Sequence, residues 1–146
     1  MRKQISARQK SRKFVLQALY KIELTEASVA EATREFLEDH NMKNVDTDHF
    51  EELLKAVTLN KTSLDERIAG YIDRNIKELG SIELSILRMG ALELRDRPEV
   101  PYKVVINEYI EIARQFGSTD DSYKYVNSIL DRLAREFREL EVRKSG

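Results

Sequence analysis

The sequence predicts an all-α fold of seven helices, and three observations carry that prediction. Only 5 of 146 residues are Gly and 2 are Pro, so little interrupts long regular segments. Apolar residues recur at three- and four-residue spacing along most of the chain, and no segment alternates as a half-buried strand would. Helix-start signals, Ser followed three residues later by Glu or Gln, stand between the apolar stripes. At this length the chain reads as one domain, residues 1–146, able to bury about two-thirds of its unfolded surface.

Ser6 with Gln9 reads as a capping box for a first helix running to about Leu24. Ser28 with Glu31 opens the second, whose stripe is Val29, Ala32, Phe36 and Leu37. Asp46 or Thr47 starts the third, with Phe50, Leu53, Leu54 and Val57 at helical spacing. Ser63 with Glu66 opens the fourth, which carries Leu64, Ile68, Ile72 and Ile76 until Gly80 stops it. Ser81 caps the fifth. Its run of Ile82, Leu84, Ile86, Leu87, Met89, Ala91, Leu92 and Leu94 leaves no broad polar face, as expected of a helix buried between neighbours. Gly90 lets another helix approach its backbone. Pro98 disfavours helix in the residue before it, and Pro101 suits the first turn of helix six. Gly117 ends that helix, and Ser118 to Ser122 lead into the seventh. The connections are short, so consecutive helices should pack antiparallel.

Charge is unevenly placed. Residues 1–13 hold Arg2, Lys3, Arg8, Lys10, Arg12 and Lys13 and none of the chain's 26 acids, although the net charge is only −1. A basic arm on an acidic body suits a polyanionic partner, and a solvated basic face is the bland alternative. The apolar stripe of Phe14, Val15, Ala18, Leu19 and Ile22 argues against a removable transit peptide. No secretory apolar core precedes Lys21 and Glu23, and no apolar run is long enough for a membrane span. Cysteine is absent, which excludes disulfides and thiolate chemistry and fits a reducing, cytoplasmic setting.

Catalysis has little support. His40 and His49 lack companions at metal-ligand spacing. No phosphate loop, nucleophile elbow or metalloprotease motif is present, and Glu108, Glu111 and Arg114 have the spacing of a surface ion-pair network. The expected chain is a non-enzyme with no cofactor. For RNA, Arg8 and Arg12 lie four residues apart and share a helix face, with Lys10 and Lys13 nearby. Phe116, Tyr123 and Tyr125 surround the loop between helices six and seven, and Tyr20 sits near the end of helix one. Each aromatic is either core or a stacking surface for a base, at about 1–3 kcal/mol. Asp120 or Asp121 either caps helix seven or accepts from a base amino group.

The stretch Val100 to Gly117, which reads VPYKVVINEYIEIARQFG, is followed by Lys124-Tyr125-Val126-Asn127 and Leu130-Asp131. With Gln17-Ala18-Leu19-Tyr20, Leu87-Arg88 and Glu93-Leu94, it resembles the signature of the NusB family over nearly the whole chain. The resemblance implies two packed helical bundles sharing one core, and a transcription antitermination factor. Such a factor binds boxA-type single-stranded RNA as a heterodimer with the ribosomal protein NusE, acting on RNA polymerase to support ribosomal RNA synthesis. It carries the RNA role to Arg8, Lys10, Arg12, Lys13, Arg88, Phe116, Asp121 and Tyr125, and partner binding to Tyr20 and Glu83. It gives Asn107 and Asn127 a structural role through side-chain hydrogen bonds. Ser128 replaces the family's usual Gly, Leu92 a common aromatic, and the Ser118–Ser122 loop is one residue longer. A homodimer, a protein adaptor without RNA selectivity, and the domain fused to ribosomal RNA methyltransferases are the alternatives. The last needs a glycine-rich cofactor segment that is absent after helix seven.

Overall fold

The computed structural model describes residues 2–73, 75 and 78–145, and every regular element among them is a helix. The chain divides into two compact units, residues 1–59 and 60–146.

The first unit contains α1 (Arg2–Thr25), α2 (Val29–Asp39) and α3 (Thr47–Leu59), each packed on the other two. Arg2, Lys3 and Gln4 are good helix formers, so α1 begins before Ser6, which lies inside it and caps nothing. Its end is set by Glu26, which leaves the helix at φ 58° while its N–H returns to the Ile22 carbonyl at 2.9 Å. The predicted cap of α2 is present: Ser28 Oγ accepts from Glu31 N–H at 3.1 Å and lies 3.2 Å from Glu31 Oε1. Asp46 caps α3, its Oδ1 accepting from His49 N–H at 3.0 Å. Phe36 is the hub of the aromatic cluster, with Phe14 edge-on at 6.3 Å, Phe50 at 6.0 Å and His40 stacked at 4.5 Å.

The second unit contains α4 (Lys61–Ala69), α5 (Ser81–Asp96), α6 (Tyr102–Phe116), α7 (Ser122–Phe137) and α8 (Glu139–Ser145). Three boundary expectations are corrected. Ser63 lies within α4 and turns its hydroxyl back to the Asn60 carbonyl at 3.1 Å, an alternative open to any mid-helix Ser. The helix stops at Gly70 rather than Gly80, leaving Ile72 beyond it, while Ile76 lies outside the described residues. Ser81 is the first helical residue of α5, not its cap. An eighth helix, α8, follows Arg138 where the sequence predicted none.

Helix α5 is the spine, buried from Glu83 to Leu94 except at Arg88 and packed by α4, α6 and α7. A Cβ on Gly90 would stand 2.7 Å from Leu130 Cδ2, so the absence of a side chain there is what lets α7 approach. Tyr109 donates to the Glu93 carboxylate with both side chains buried, which satisfies a charge that would otherwise be costly inside the unit. The end of α5 is closed by Arg138. Its guanidinium donates to the carbonyls of Leu94 (2.5 Å), Arg97 (2.8 Å), Val100 (3.0 Å) and Glu93 (3.1 Å), and to Glu141 at 2.7 Å. The C-terminal end of a helix carries its negative dipole end and leaves terminal carbonyls short of intrahelical partners, so the buried cation suits the end of α5 and supplies the Leu94 carbonyl. Glu141 also accepts from Tyr102 N–H at 2.8 Å, tying α8 to the start of α6.

Candidate nucleic-acid interface

Two surfaces hold the residues that the sequence singles out, one in each unit. On the first, the basic start of α1 meets the connection between α2 and α3. Asp46 N–H donates to the Ala7 carbonyl at 3.2 Å, and Arg8 Nε reaches Asp46 Oδ2 at 3.4 Å. The His49 N–H holds the Asp46 carboxyl below its ordinary pKa, against the opposing effect of burial and with help from Arg8. Ser11 Oγ lies 2.7 Å from His49 Nδ1, so His49 joins the same junction.

Arg8 and Arg12, placed on one helix face by their spacing, differ in exposure. Arg8 is partly buried and faces Asp46, and Arg12 is only 4% exposed. Arg2, Lys3 and Lys10 are exposed, and Lys13 is half-buried. Arg2, Lys3 and Lys10, with Gln4 and Asn44, line an open cleft of about 580 Å³. Asn44, at φ 65°, was not singled out from the sequence. Its one signal was its residue type, since Asn tolerates the left-handed region better than most. Tyr20 is exposed on the last turns of α1.

On the second unit, the start of α5 grips the loop between α6 and α7. Glu83, to which the family resemblance assigns partner binding, is 7% exposed and faces inward. Its carboxylate accepts from Ser118 N–H at 2.7 Å, Ser118 Oγ at 2.5 Å and Ser122 Oγ at 2.9 Å. Burial alone would raise its pKa, but these hydrogen bonds outweigh burial and leave it lowered. Gly117 is needed where the loop departs, because a Cβ there would lie 2.6 Å from Ser122 Cβ. Sequence reasoning missed Ser118 and Ser122 as loop-holding groups. Their only signal was a pair of hydroxyls flanking a helix start.

The remaining candidates divide. Asp121 stands at the N-cap of α7 without a side-chain capping bond, 79% exposed and 3.3 Å from Lys124 Nζ. Asp120 is exposed as well. Phe116 is half-buried at the end of α6. Tyr125 points its hydroxyl inward, lining a small cavity of about 170 Å³ with Glu83, Ser118 and Ser122. Tyr123 instead carries an exposed cation on its face, with the Arg114 guanidinium 4.3 Å from the ring centre. Arg88 is 12% exposed and makes a two-pronged pair with Asp65 at 2.6 and 2.8 Å. Its charge is therefore met within the protein. Asn107 and Asn127 are exposed and make no side-chain hydrogen bond among the described residues, so the structural role expected of them is not found. No group of three or more His, Cys, Asp or Glu capable of holding a metal occurs among the described residues. No described helix is long and apolar enough to cross a membrane.

The sequence pattern of the NusB family matches residues 9–135. The chain belongs to the NusB family. A relative from Alcanivorax borkumensis, named transcription antitermination protein NusB, is 48% identical over 136 residues, 93% of this chain and 90% of the relative. One of the same name from Hahella chejuensis is 44% identical over 142 residues, 97% and 95% of the two chains. The solved structure of T. maritima NusB superposes with a TM-score of 0.81 at 27% identity, covering 92% of this chain and 96% of that one. A structure of antitermination factors NusB and NusE in complex with double-stranded RNA shares the fold, with a TM-score of 0.77 at 20% identity over 94% and 99% of the two chains. NusB membership assigns the chain to a family of transcription antitermination proteins and not to an enzyme family. The NusB match starts at Gln9, so it includes Lys10, Arg12 and Lys13 but not Arg2, Lys3 or Arg8.

Proposed function

We propose that this NusB-family protein acts in the cytoplasm as an antitermination factor that binds boxA-type RNA together with NusE. The pair would be held to elongating RNA polymerase and so support ribosomal RNA transcription. The observation that carries the RNA part is the α1 cleft, where exposed Arg2, Lys3 and Lys10 stand beside the amides of Gln4 and Asn44. Cations fix the phosphate chain without choosing a sequence, whereas amides offer the donor and acceptor pairs that read base edges. The α6–α7 loop supplies the second surface: Glu83 fixes the backbone, while Asp121 and Tyr123 remain at least partly accessible. An acidic body suits a basic ribosomal protein and speeds its encounter. Two weak RNA surfaces presented by one heterodimer bind better than either alone.

The test is anisotropy of labelled boxA RNA and a scrambled control, with and without NusE, over a salt series. Tighter, boxA-selective binding in the presence of NusE is expected. Equal binding to both RNAs, unchanged by NusE, would replace this reading with that of a basic adaptor lacking RNA selectivity.

A further inference from the structure

Helices α2 and α3 enclose an open groove of about 730 Å³ that neither the RNA nor the NusE reading uses. Its floor is apolar, built from Val29, Ala30 and Leu37 of α2 and Leu59 of α3, and Leu59 is 74% exposed. Such an exposed aliphatic side chain at the mouth of a groove is a candidate contact for another protein.

The rim is ordered by charge. The two helices are joined by a short connection and run antiparallel, so residues at opposite ends of their numbering share a level. Val29 and Ala30 thus face Leu59 at one end. Arg34 and Lys55 line the groove about one turn along, and Glu38 and Glu51 line it about one turn further. The groove therefore presents an apolar end, a cationic middle and an acidic end. Arg34 and Glu38, like Glu51 and Lys55, have the spacing of intrahelical ion pairs, yet none of the four forms an ion pair or side-chain hydrogen bond among the described residues. Arg34 lies within electrostatic reach of the Glu35 carboxylate, and Glu38, Glu51 and Lys55 point to solvent.

We infer that this groove receives an amphipathic helix of a protein partner. The helix bears aliphatic anchors at one end, an acid one turn along and a Lys or Arg one turn beyond. Docking a helix by its apolar stripe into a groove between two helices is a recurring mode of recognition, and the ordered charges fix its direction. A second copy of this chain matches poorly. Full two-fold overlap of the grooves sets Arg34 and Lys55 against their own counterparts, and a shift that pairs cations with acids leaves both Leu59 ends uncovered. Along α3 itself, the order from Leu59 is aliphatic, base, acid, which is the wrong sequence for this groove.

The probe is a three-turn helical peptide labelled with fluorescein, with Leu anchors, then Glu, then Lys. Its control has the Glu and Lys exchanged. The charge-matched peptide should bind roughly tenfold more tightly at low salt, because the control places like charges together at two levels. The quadruple variant R34E, E38K, E51K and K55E, verified as folded by circular dichroism, should reverse the preference. Leu59→Asp should abolish binding of both peptides while leaving boxA RNA binding unchanged, which keeps this groove separable from the RNA reading. Equal affinity for the two peptides in the native protein overturns the inference. So does loss of RNA binding in Leu59→Asp, or a concentration-dependent dimer of the native chain that Leu59→Asp dissolves.

Discussion

Glu83 takes both donors of Ser118, the backbone N–H at 2.7 Å and the hydroxyl at 2.5 Å, so one carboxylate on α5 fixes the first residue of the loop after Gly117. Charge-assisted hydrogen bonds of this kind are among the stronger ones in proteins. Glu83→Gln turns one acceptor oxygen into a donor that meets donors. The expected result is a loss of about 1–3 kcal/mol in urea denaturation, with faster proteolytic cutting within residues 117–122. An unchanged cutting rate would show that the loop is held by other means.

Acid should unlock the same contact. The Glu83 and Asp46 carboxyls are both lowered in the folded protein, so the stability they add is complete above the ordinary carboxylate range. It is lost as pH falls through their lower, folded-state values. Denaturation midpoints measured against pH should stay level at neutrality and drop in acid, and Glu83→Gln and Asp46→Asn should each flatten that drop. A decline on the alkaline side of neutrality in native protein, absent in the variants, would contradict the sign.

Arg12 and Lys10 should behave oppositely despite lying two residues apart. Lys10 is exposed on the α1 cleft, so Lys10→Ala should weaken RNA binding and reduce the salt slope by about 0.7 while leaving the melting temperature alone. Arg12 is buried, so Arg12→Ala should lower the melting temperature by several degrees, as expected when a buried, partnered cation is removed. A salt slope changed only by Arg12→Ala would reverse these roles.

Gly90→Ala tests the helix approach. Its Cβ would meet Leu130, a fully buried side chain, and overpacking of this kind costs about 1–3 kcal/mol. Part of that cost is offset by the better helix propensity of Ala, about 1 kcal/mol. Leu130→Val in the same chain should recover part of the loss, and a double-mutant cycle with no coupling would show that the contact relaxes freely.

These residues also mark what could be read in advance. The buried nature of α5, the role of Gly90, the Ser28 cap and the stop at Gly117 were legible because each follows from local chemistry: an apolar run, a missing Cβ, a hydroxyl at the right offset. Ser6 and Ser63 carry the same capping pattern yet lie inside helices; before Ser6, Arg2, Lys3 and Gln4 extend the helix past the signal. The burial of Arg12 and Glu83 was not legible, for a different reason. Their burial depends on what packs over them, and the partners of Glu83 come 35 and 39 residues later. A charged side chain in a sequence looks exposed until its distant partner is known. The α8 helix escaped because a seven-residue segment is too short to show a period.

The grip of Arg138 on the carbonyls of Glu93 and Leu94 spans 45 and 44 residues, and that distance orders events during synthesis. Helices α1, α2 and α3 pack on one another within residues 1–59, all of which emerge before the second unit is made. The spine of the second unit cannot close its last turn until residue 138 has cleared the ribosome. Completion of that unit is therefore tied to the final moments of translation, and a stall just short of Arg138 would leave a nascent chain with the end of its spine unsealed.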